Sequence, residues 1–308
     1  MMQENGVDEK LWEKHYHIGV ENIDNQHDKL FSIARRIVSI RDESAHNQFR
    51  RTFVGKEGIK FLKSYALNHF ADEEAYMKEI GYPHFTAHKQ EHDKFRDVVV
   101  PSLEHNLIES DYSQDAVERL VAAVLAWLVN HISKTDMDIV GRAAVPLRSE
   151  VESDRIEETM ANIIINLFSG MFDINMRVAD LHYGGEDFGD AIFYERSYQS
   201  PETKQKVQFI TALGGNASAF LGEMLLNQPD AVMDHMIASL IEEFSFMLIQ
   251  HLDHMLIKEE HSCRYAEGSF IDREKFEQIL QNKMPEFSIL FETDKGKFAV
   301  CADRIPLM

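Results

Sequence analysis

Seven residues constrain this chain more than anything in its composition: His27, His69, Glu73, His88, His92, His131 and Asp136. They lie on four separate segments whose apolar residues repeat at helical spacing, so no single helix could gather them. Four helices packed side by side could. Residues four apart share a helical face, so HFADE presents His69 with Glu73, and HKQEH presents His88 with His92. HISKTD separates His131 from Asp136 by five residues, roughly 140° at the ideal ~100° per residue. Both face inward only where the helix is locally widened, as in a π-type turn, or where Asp136 reaches back.

Such a donor set suits a transition metal. Imidazole binds iron, copper, nickel and zinc, whereas bridging carboxylates are typical of paired iron or manganese. If both carboxylates and a solvent molecule bridge, five imidazoles leave one of the twelve positions of two octahedral metals open, and a small diatomic ligand would bind there. The chain holds 15 histidines. His15, His17, His46, His84 and His105 show no matching spacing and are assigned to no metal.

The segment LWEKHYHIGVENIDNQH adds a Trp, then Ile-Gly-Val, then Asp-x-Gln-His to the seven residues. With them, residues 1–142 resemble a bacterial hemerythrin, a class that binds dioxygen at a di-iron centre in a four-helix bundle. The resemblance implies two iron ions with an oxo or hydroxo bridge. His88, His92 and His131 would hold one iron, His27 and His69 the other, and Glu73 and Asp136 would bridge them. It further implies that dioxygen enters at the two-histidine iron, with Trp127, Leu128 and Ile132 of WLVNHI lining the pocket.

A chain of 308 residues is too long for one such bundle, so a second domain is expected over 154–308, after a linker at 143–153. The formal charge of −20 argues against nucleic acid or an anionic membrane as partner. Cys263 and Cys301 lie far apart and no signal-peptide pattern is present, which predicts free thiols and a cytoplasmic location. The longest apolar run, LVAAVLAWLV, is short of the ~20 residues that span a bilayer.

Periodicity predicts a first helix starting near Asp24, a second over Phe49 to Ile80, and a third from Pro83 that Pro101 should kink or end. A fourth is expected over Gln114 to Val140, with Val117, Leu120, Val121, Val124 and Leu128 inward. In the second half IEETMANIIINLFSGMF reads as a helix, and INMRVADLHYG, DAIFYERSY and KVQFITAL read as strands. A long helix follows over about Ala231 to Leu256, and Asp294-Lys295-Gly296 reads as a hairpin turn. The expected fold class is therefore an all-α four-helix bundle followed by an α+β domain.

The helix-then-strands opening, GGNASAFLGEMLL, the DHMIASLIEEFSFML helix and a closing hairpin with Thr-Asp-x-Gly resemble the CheX and CheC chemotaxis phosphatases. That family's catalytic helix carries Glu-x-x-Asn. Here Glu243 matches the acid, but Phe246 stands at the Asn position, and a register from Glu242 gives Ser245 instead. Neither side chain has an amide to position water, so the domain is expected to be CheX-like in fold and not an active phosphatase. Glu242 and Glu243 otherwise read as the solvated face of an amphipathic helix. His251, Asp253, His254, Glu259, Glu260 and His261 complete no metal spacing and read as a charged helix end.

The resemblances together imply an oxygen, redox or nitric oxide sensor or adaptor in chemotaxis or two-component signalling. Its partners would be a diatomic gas, a response regulator or chemotaxis protein, and a second copy paired through the CheX-like domain. The alternatives are a di-iron enzyme acting on dioxygen, peroxide or nitric oxide, and oxygen storage or delivery with a CheX-like oligomerisation module.

Overall fold

A computed structural model describes residues 15–39, 47–142, 156–199, 206–256, 264–282 and 285–303. They fall into two compact units, Met1–Ala143 with Leu225–Asn227, and Ala144–Met224 with Gln228–Met308. The expected linker at 143–153 and Cys263 lie outside the described residues.

The first unit is a helical bundle. Helix α1 spans Glu21–Ser39 and α2 Gln48–Glu79. Helix α3 runs through Phe85–Lys94, a π turn at Phe95–Val99, and Val100–Glu109. Helix α4 runs through Gln114–Asn130, a π turn at His131–Asp136, and Met137–Ile139. Helix α1 packs on α2 and α4, and α3 also packs on both of those. Val54, Ile59, Leu62, Leu107, Val117, Leu120 and Val124 form one core cluster. All five apolar positions expected inward on α4 are buried.

The helix ends follow from local chemistry. Helix α1 begins three residues before Asp24, because that side chain accepts from the backbone N–H of Ile18 at 2.7 Å and Gly19 at 3.0 Å. Asp24 thus ties the incoming chain to the first turn instead of preceding it. Asn47 caps α2 by accepting from Arg50 N–H, and Ser113 caps α4 by accepting from Ala116 N–H. Helix α2 ends at Gly81, whose φ of +66° allows Tyr82 N–H to reach the Met77 carbonyl at 2.9 Å. Gly141, at φ +69°, ends α4 in the same way.

Of the kink or stop expected at Pro101, the stop does not occur: α3 continues, with a distortion just before the proline. The five-residue π turn lies immediately before it, and the widened backbone gives the ring room that a regular helix would deny it.

The second unit opens with α5, Ile156–Phe172, and contains a six-stranded sheet. Its strands are β1 Met176–Asp180, β2 Ile192–Gln199, β3 Lys206–Leu213, β4 Arg264–Ile271, β5 Phe287–Thr293 and β6 Gly296–Ala302. They are ordered β1-β5-β6-β3-β2-β4, with every neighbouring pair antiparallel. Helix α6 covers Ala217–Leu221 and a π turn at Gly222–Leu226, α7 is His235–Leu256 and α8 is Arg273–Asn282. The N-terminus of α7 is shifted from the expected Ala231 by Asp234, whose carboxylate accepts from Ile237 N–H. Phe276 and Leu280 of α8 join Phe193, Ile210, Ala212 and Cys301 in one cluster. Elsewhere Phe172 of α5 meets Phe244 of α7 at 5.1 Å, and Phe168 meets Phe298 at 4.9 Å. The hairpin turn falls where the sequence puts it, with Thr293 paired to Gly296.

Among the described residues one helix, Gln114–Ile139, is long and apolar enough to cross a membrane, more than its central run suggested. Its most apolar window is 83% buried, because that surface forms the bundle core.

Burial pushes the Cys301 thiol up to about 12, so thiolate is scarce at neutral pH. Iodoacetamide at pH 8 is expected to leave Cys301 unmodified in the folded protein and to alkylate it in denaturant. Peptide mass spectrometry reads the difference, and labelling of the folded chain at Cys301 would contradict the packing.

Candidate metal centre

All seven singled-out residues converge inside the bundle, none more than 2% exposed. Each helix supplies its share: His27 from α1, His69 and Glu73 from α2, His88 and His92 from α3, His131 and Asp136 from α4. The π turn at His131–Asp136 widens the helix so that residues five apart share a face, the first of the two sequence-based options. Ligand atoms of Glu73, His88, His92 and His131 form one group and those of His27, His69 and Asp136 another, each within 4.8 Å.

The contacts are close. His92 Nε2 lies 3.0 Å from Glu73 Oε2, and His131 Nε2 lies 3.0 Å from Asp136 Oδ1. His88 Nε2 is 3.4 Å from Glu73 and 3.3 Å from Asp136, and His27 Nε2 is 3.2 Å from Asp136 Oδ2. His92 Nε2 also sits 3.1 Å from His88 Nε2 and 3.0 Å from His131 Nε2.

Charge in this cluster is unbalanced for a protein interior. Burial and the nearby Asp136 oppose ionisation of Glu73, but the His88 and His92 rings outweigh them and hold it at about 2. Burial likewise opposes ionisation of Asp136, yet His131, His27 and His88 keep it well below the usual carboxylate range. His69 is pushed down to about 4, first by burial and then by His27, and burial also lowers His92. His131 stands at about 10 and His88 is raised, because facing carboxylates overcome the burial that disfavours their charged forms.

Hydrogen bonding does not satisfy the cluster. His69 Nε2, both ring nitrogens of His27, and the carboxylate oxygens of Glu73 and Asp136 are buried without a hydrogen-bond partner. Orphaned acceptors and facing imidazole nitrogens are costly in a dry core and suit a pair of cations. The residues present therefore fit two metal ions.

A layer outside the seven orients them. Three ring Nδ1–H groups donate outward: His69 to Gln26 Oε1 at 2.8 Å, His92 to Glu74 at 3.4 Å and His131 to Glu91 at 3.3 Å. Thr135 Oγ1 donates to the same Glu91 oxygen at 2.9 Å. The sequence reading passed over these neighbours, although Gln26 belongs to the quoted Asp-x-Gln-His and Glu91 lies inside HKQEH.

Of the expected pocket residues, half-buried Trp127 stacks on the His131 ring at 4.4 Å, and Leu128 and Ile132 are buried on the same helix. Phe70, stacked on His92 at 3.9 Å, and Phe95, stacked on Trp127 at 3.8 Å, complete an aromatic wall that the sequence did not single out.

Among the described residues, those singled out on α7 form no comparable cluster. Glu243 is half-buried and its carboxyl is raised by burial. Phe246 is 37% exposed, with the Arg196 guanidinium 4.7 Å from its ring, and Ser245 Oγ pairs with Thr211 Oγ1 at 2.9 Å. His251 Nδ1–H donates to the Met247 carbonyl. The side chains of Asp253 and His254, and residues 259–261, lie outside the described residues.

Residues 18–143 match the family model "Hemerythrin HHE cation binding domain". The bacteriohemerythrin of Clostridium acetobutylicum is 34% identical over 134 residues, 42% of this chain and 98% of that protein. Those of Methylococcus capsulatus and Campylobacter jejuni are 34% and 32% identical, covering 37% and 38% of this chain and 79% and 83% of their own lengths. No solved structure matches significantly.

His88 and His84 share a segment, but His88 is buried in the cluster and His84 is exposed. His88→Ala is expected to lower metal content at equilibrium and His84→Ala to leave it unchanged, as read by elemental analysis of dialysed protein. Equal effects would break the ligand assignment.

Proposed function

The chain belongs to the hemerythrin family through residues 18–143, and on that premise we propose that its N-terminal unit holds two iron ions and binds dioxygen reversibly. The observation that carries this reading is the group of seven buried donors, in which atoms of His27, His69, Glu73, His88 and Asp136 have no hydrogen-bond partner. His88, His92 and His131 would hold one iron and His27 and His69 the other, with Glu73 and Asp136 shared. When bound, the iron pair supplies a reversible exchange of electrons with a small diatomic ligand. The chain's own part is to fix five rings with their Nε2 atoms inward and to keep water out. Phe70, Phe95 and Trp127 stack over the ligand rings, and Leu128 and Ile132 remain the proposed apolar wall.

The donor types favour binding over oxidation chemistry. Oxygen-activating di-iron bundles surround their metals with carboxylates, whereas neutral imidazoles predominate here. That difference weighs against the enzyme alternative.

For the second unit we infer a CheX-like adaptor that converts ligand occupancy into contact with a response regulator or chemotaxis protein in the cytoplasm. The antiparallel sheet, the opening helix α5 and the closing β5–β6 hairpin support it. So does the pairing of the unit with a gas-binding bundle in one chain. Homodimerisation through this unit would be the state on which a signal acts. Residues 143–153 serve as the proposed connection.

The fourth helix is the candidate conductor, since it carries His131 and Asp136. Two residues beyond Asp136, Asp138 accepts from the Tyr82 hydroxyl at 2.5 Å, and the helix closes at Gly141. A ligand can bias the second unit only by binding one arrangement of this end better than another.

Three outcomes are expected. Reduced anaerobic protein should contain two irons per chain and change its visible absorption on exposure to dioxygen, returning when the gas is removed; fewer than one metal per folded chain would overturn the reading. Because Phe246 offers no amide to position an in-line water, the protein should not accelerate phosphate loss from phosphorylated response regulators; Glu243-dependent acceleration would show otherwise. Deoxygenated and oxygenated forms should differ in hydrogen exchange over Met137–Arg142 and Ile156–Phe172, and identical protection would favour simple storage.

A further inference from the structure

The five ligand rings differ in what stands behind them. A carboxylate can only accept, so the contacts of His92 with Glu74 and of His131 with Glu91 require Nδ1–H on each ring and leave the Nε2 lone pair facing inward. Glu91 is also fixed in place by the Thr135 hydroxyl, which donates to the same carboxylate oxygen at 2.9 Å. His69 instead donates to the amide oxygen of Gln26. That amide cannot turn over freely, because its Nε2–H donates to Asp72 at 2.7 Å. The Nδ1 atoms of His27 and His88 have no hydrogen-bond partner.

Two of the three rings in one group therefore carry an anionic outer partner, and neither ring in the other group does. A carboxylate drawing on Nδ1–H makes the ring a stronger donor at Nε2, and such partners typically contribute 10- to 100-fold in metal affinity. A neutral amide orients the ring with much less effect on its basicity.

We infer that Glu74 and Glu91 make the two metal positions unequal, so that the one framed by His88, His92 and His131 fills first and holds its ion more tightly than the one framed by His27 and His69. The inference rests on the two-metal reading above. It assigns Glu74 and Glu91 as positioning residues and Gln26 as the neutral counterpart that keeps the second ion more weakly held.

The test uses full-length, metal-free protein titrated with Co(II) under anaerobic conditions. Trp127 stacks on His131, and the chain has one other tryptophan, Trp12. In a Trp12→Phe background the emission of Trp127 is expected to fall mainly within the first equivalent, while calorimetry shows two unequal steps. Glu91→Gln should weaken the first step by roughly 10- to 100-fold and bring the two steps together. Gln26→Glu combined with Asp72→Asn, which removes a repelling charge and restores a donor, should tighten the second step by about tenfold. This gain keeps the inference testable if Glu91→Gln does not fold.

Two equal steps in the parent chain, or a first step unmoved by Glu91→Gln, would overturn the inference while two ions per chain still bind. Total binding below one ion per chain would instead sink the two-metal reading.

Discussion

Two ionised carboxylates buried in a helical core are the constraint to which the rest of the bundle answers. Glu73 and Asp136 are fully buried, and their oxygens have no hydrogen-bond partner. Uncompensated, such charges would cost several kcal/mol each even after relaxation. The surrounding imidazoles compensate only by taking up protons, and they do so unevenly: facing carboxylates raise His88 and His131, while burial drives His69 and His92 toward the neutral form. Cations between the rings remove the conflict, because a metal accepts the same lone pairs that otherwise confront one another. The cluster is thus an unfavourable core for a metal-free chain and a good one for a loaded chain, which makes binding free energy part of bundle stability.

That demand shapes the backbone. A regular helix cannot put residues five apart on one face, so α4 widens to a π turn at His131–Asp136. Ser133, inside the turn, donates to the Val129 carbonyl at 2.7 Å, and Thr135 secures Glu91. The widened segment therefore gains polar contacts of its own. A second π turn in α3, at Phe95–Val99, begins three residues after His92 and places Phe95 against Trp127. Both distortions lie at or near residues of the buried cluster, in keeping with the tendency of π turns to mark functional sites.

The legibility of these features in the sequence differed for physical reasons. Spacing exposed the buried cluster because its residues must share helix faces to meet, and the five-residue gap in HISKTD carried the π turn with it. Pro101 signalled a kink or stop but not a widened turn, since nothing local announces that the turn before the proline will take that form. Glu74, Glu91 and Gln26 were hidden by their type: a charged or amide residue on a helix ordinarily faces solvent, and only the packing of α2, α3 and α4 turns these toward ring nitrogens. In the second unit the β-branched runs exposed β1 to β3, whereas β4, with Glu267 and Gly268 interrupting it, has no alternation to read. Helix α8 could have been found, because Asp272 caps Lys275 N–H and Phe276 and Leu280 recur four apart.

The outer layer also bears on how ligation could be felt beyond the cluster. Glu91 belongs to α3 and reaches His131 on α4; Gln26 belongs to α1 and reaches His69 on α2. Each is a polar contact between helices that ends on a ring of the buried cluster. A change in charge at the centre alters the pull of those rings on their partners, and Thr135, one residue before Asp136, shares Glu91 with His131. The strain of ligation would then fall on the last two turns of α4, where the Tyr82–Asp138 contact and the Gly141 cap define a short, separately held end. A centre that was uniformly braced would disperse that change over all four helices. The unequal bracing would instead place it on α2, α3 and α4, the helices that Glu74 and Glu91 join through His92 and His131.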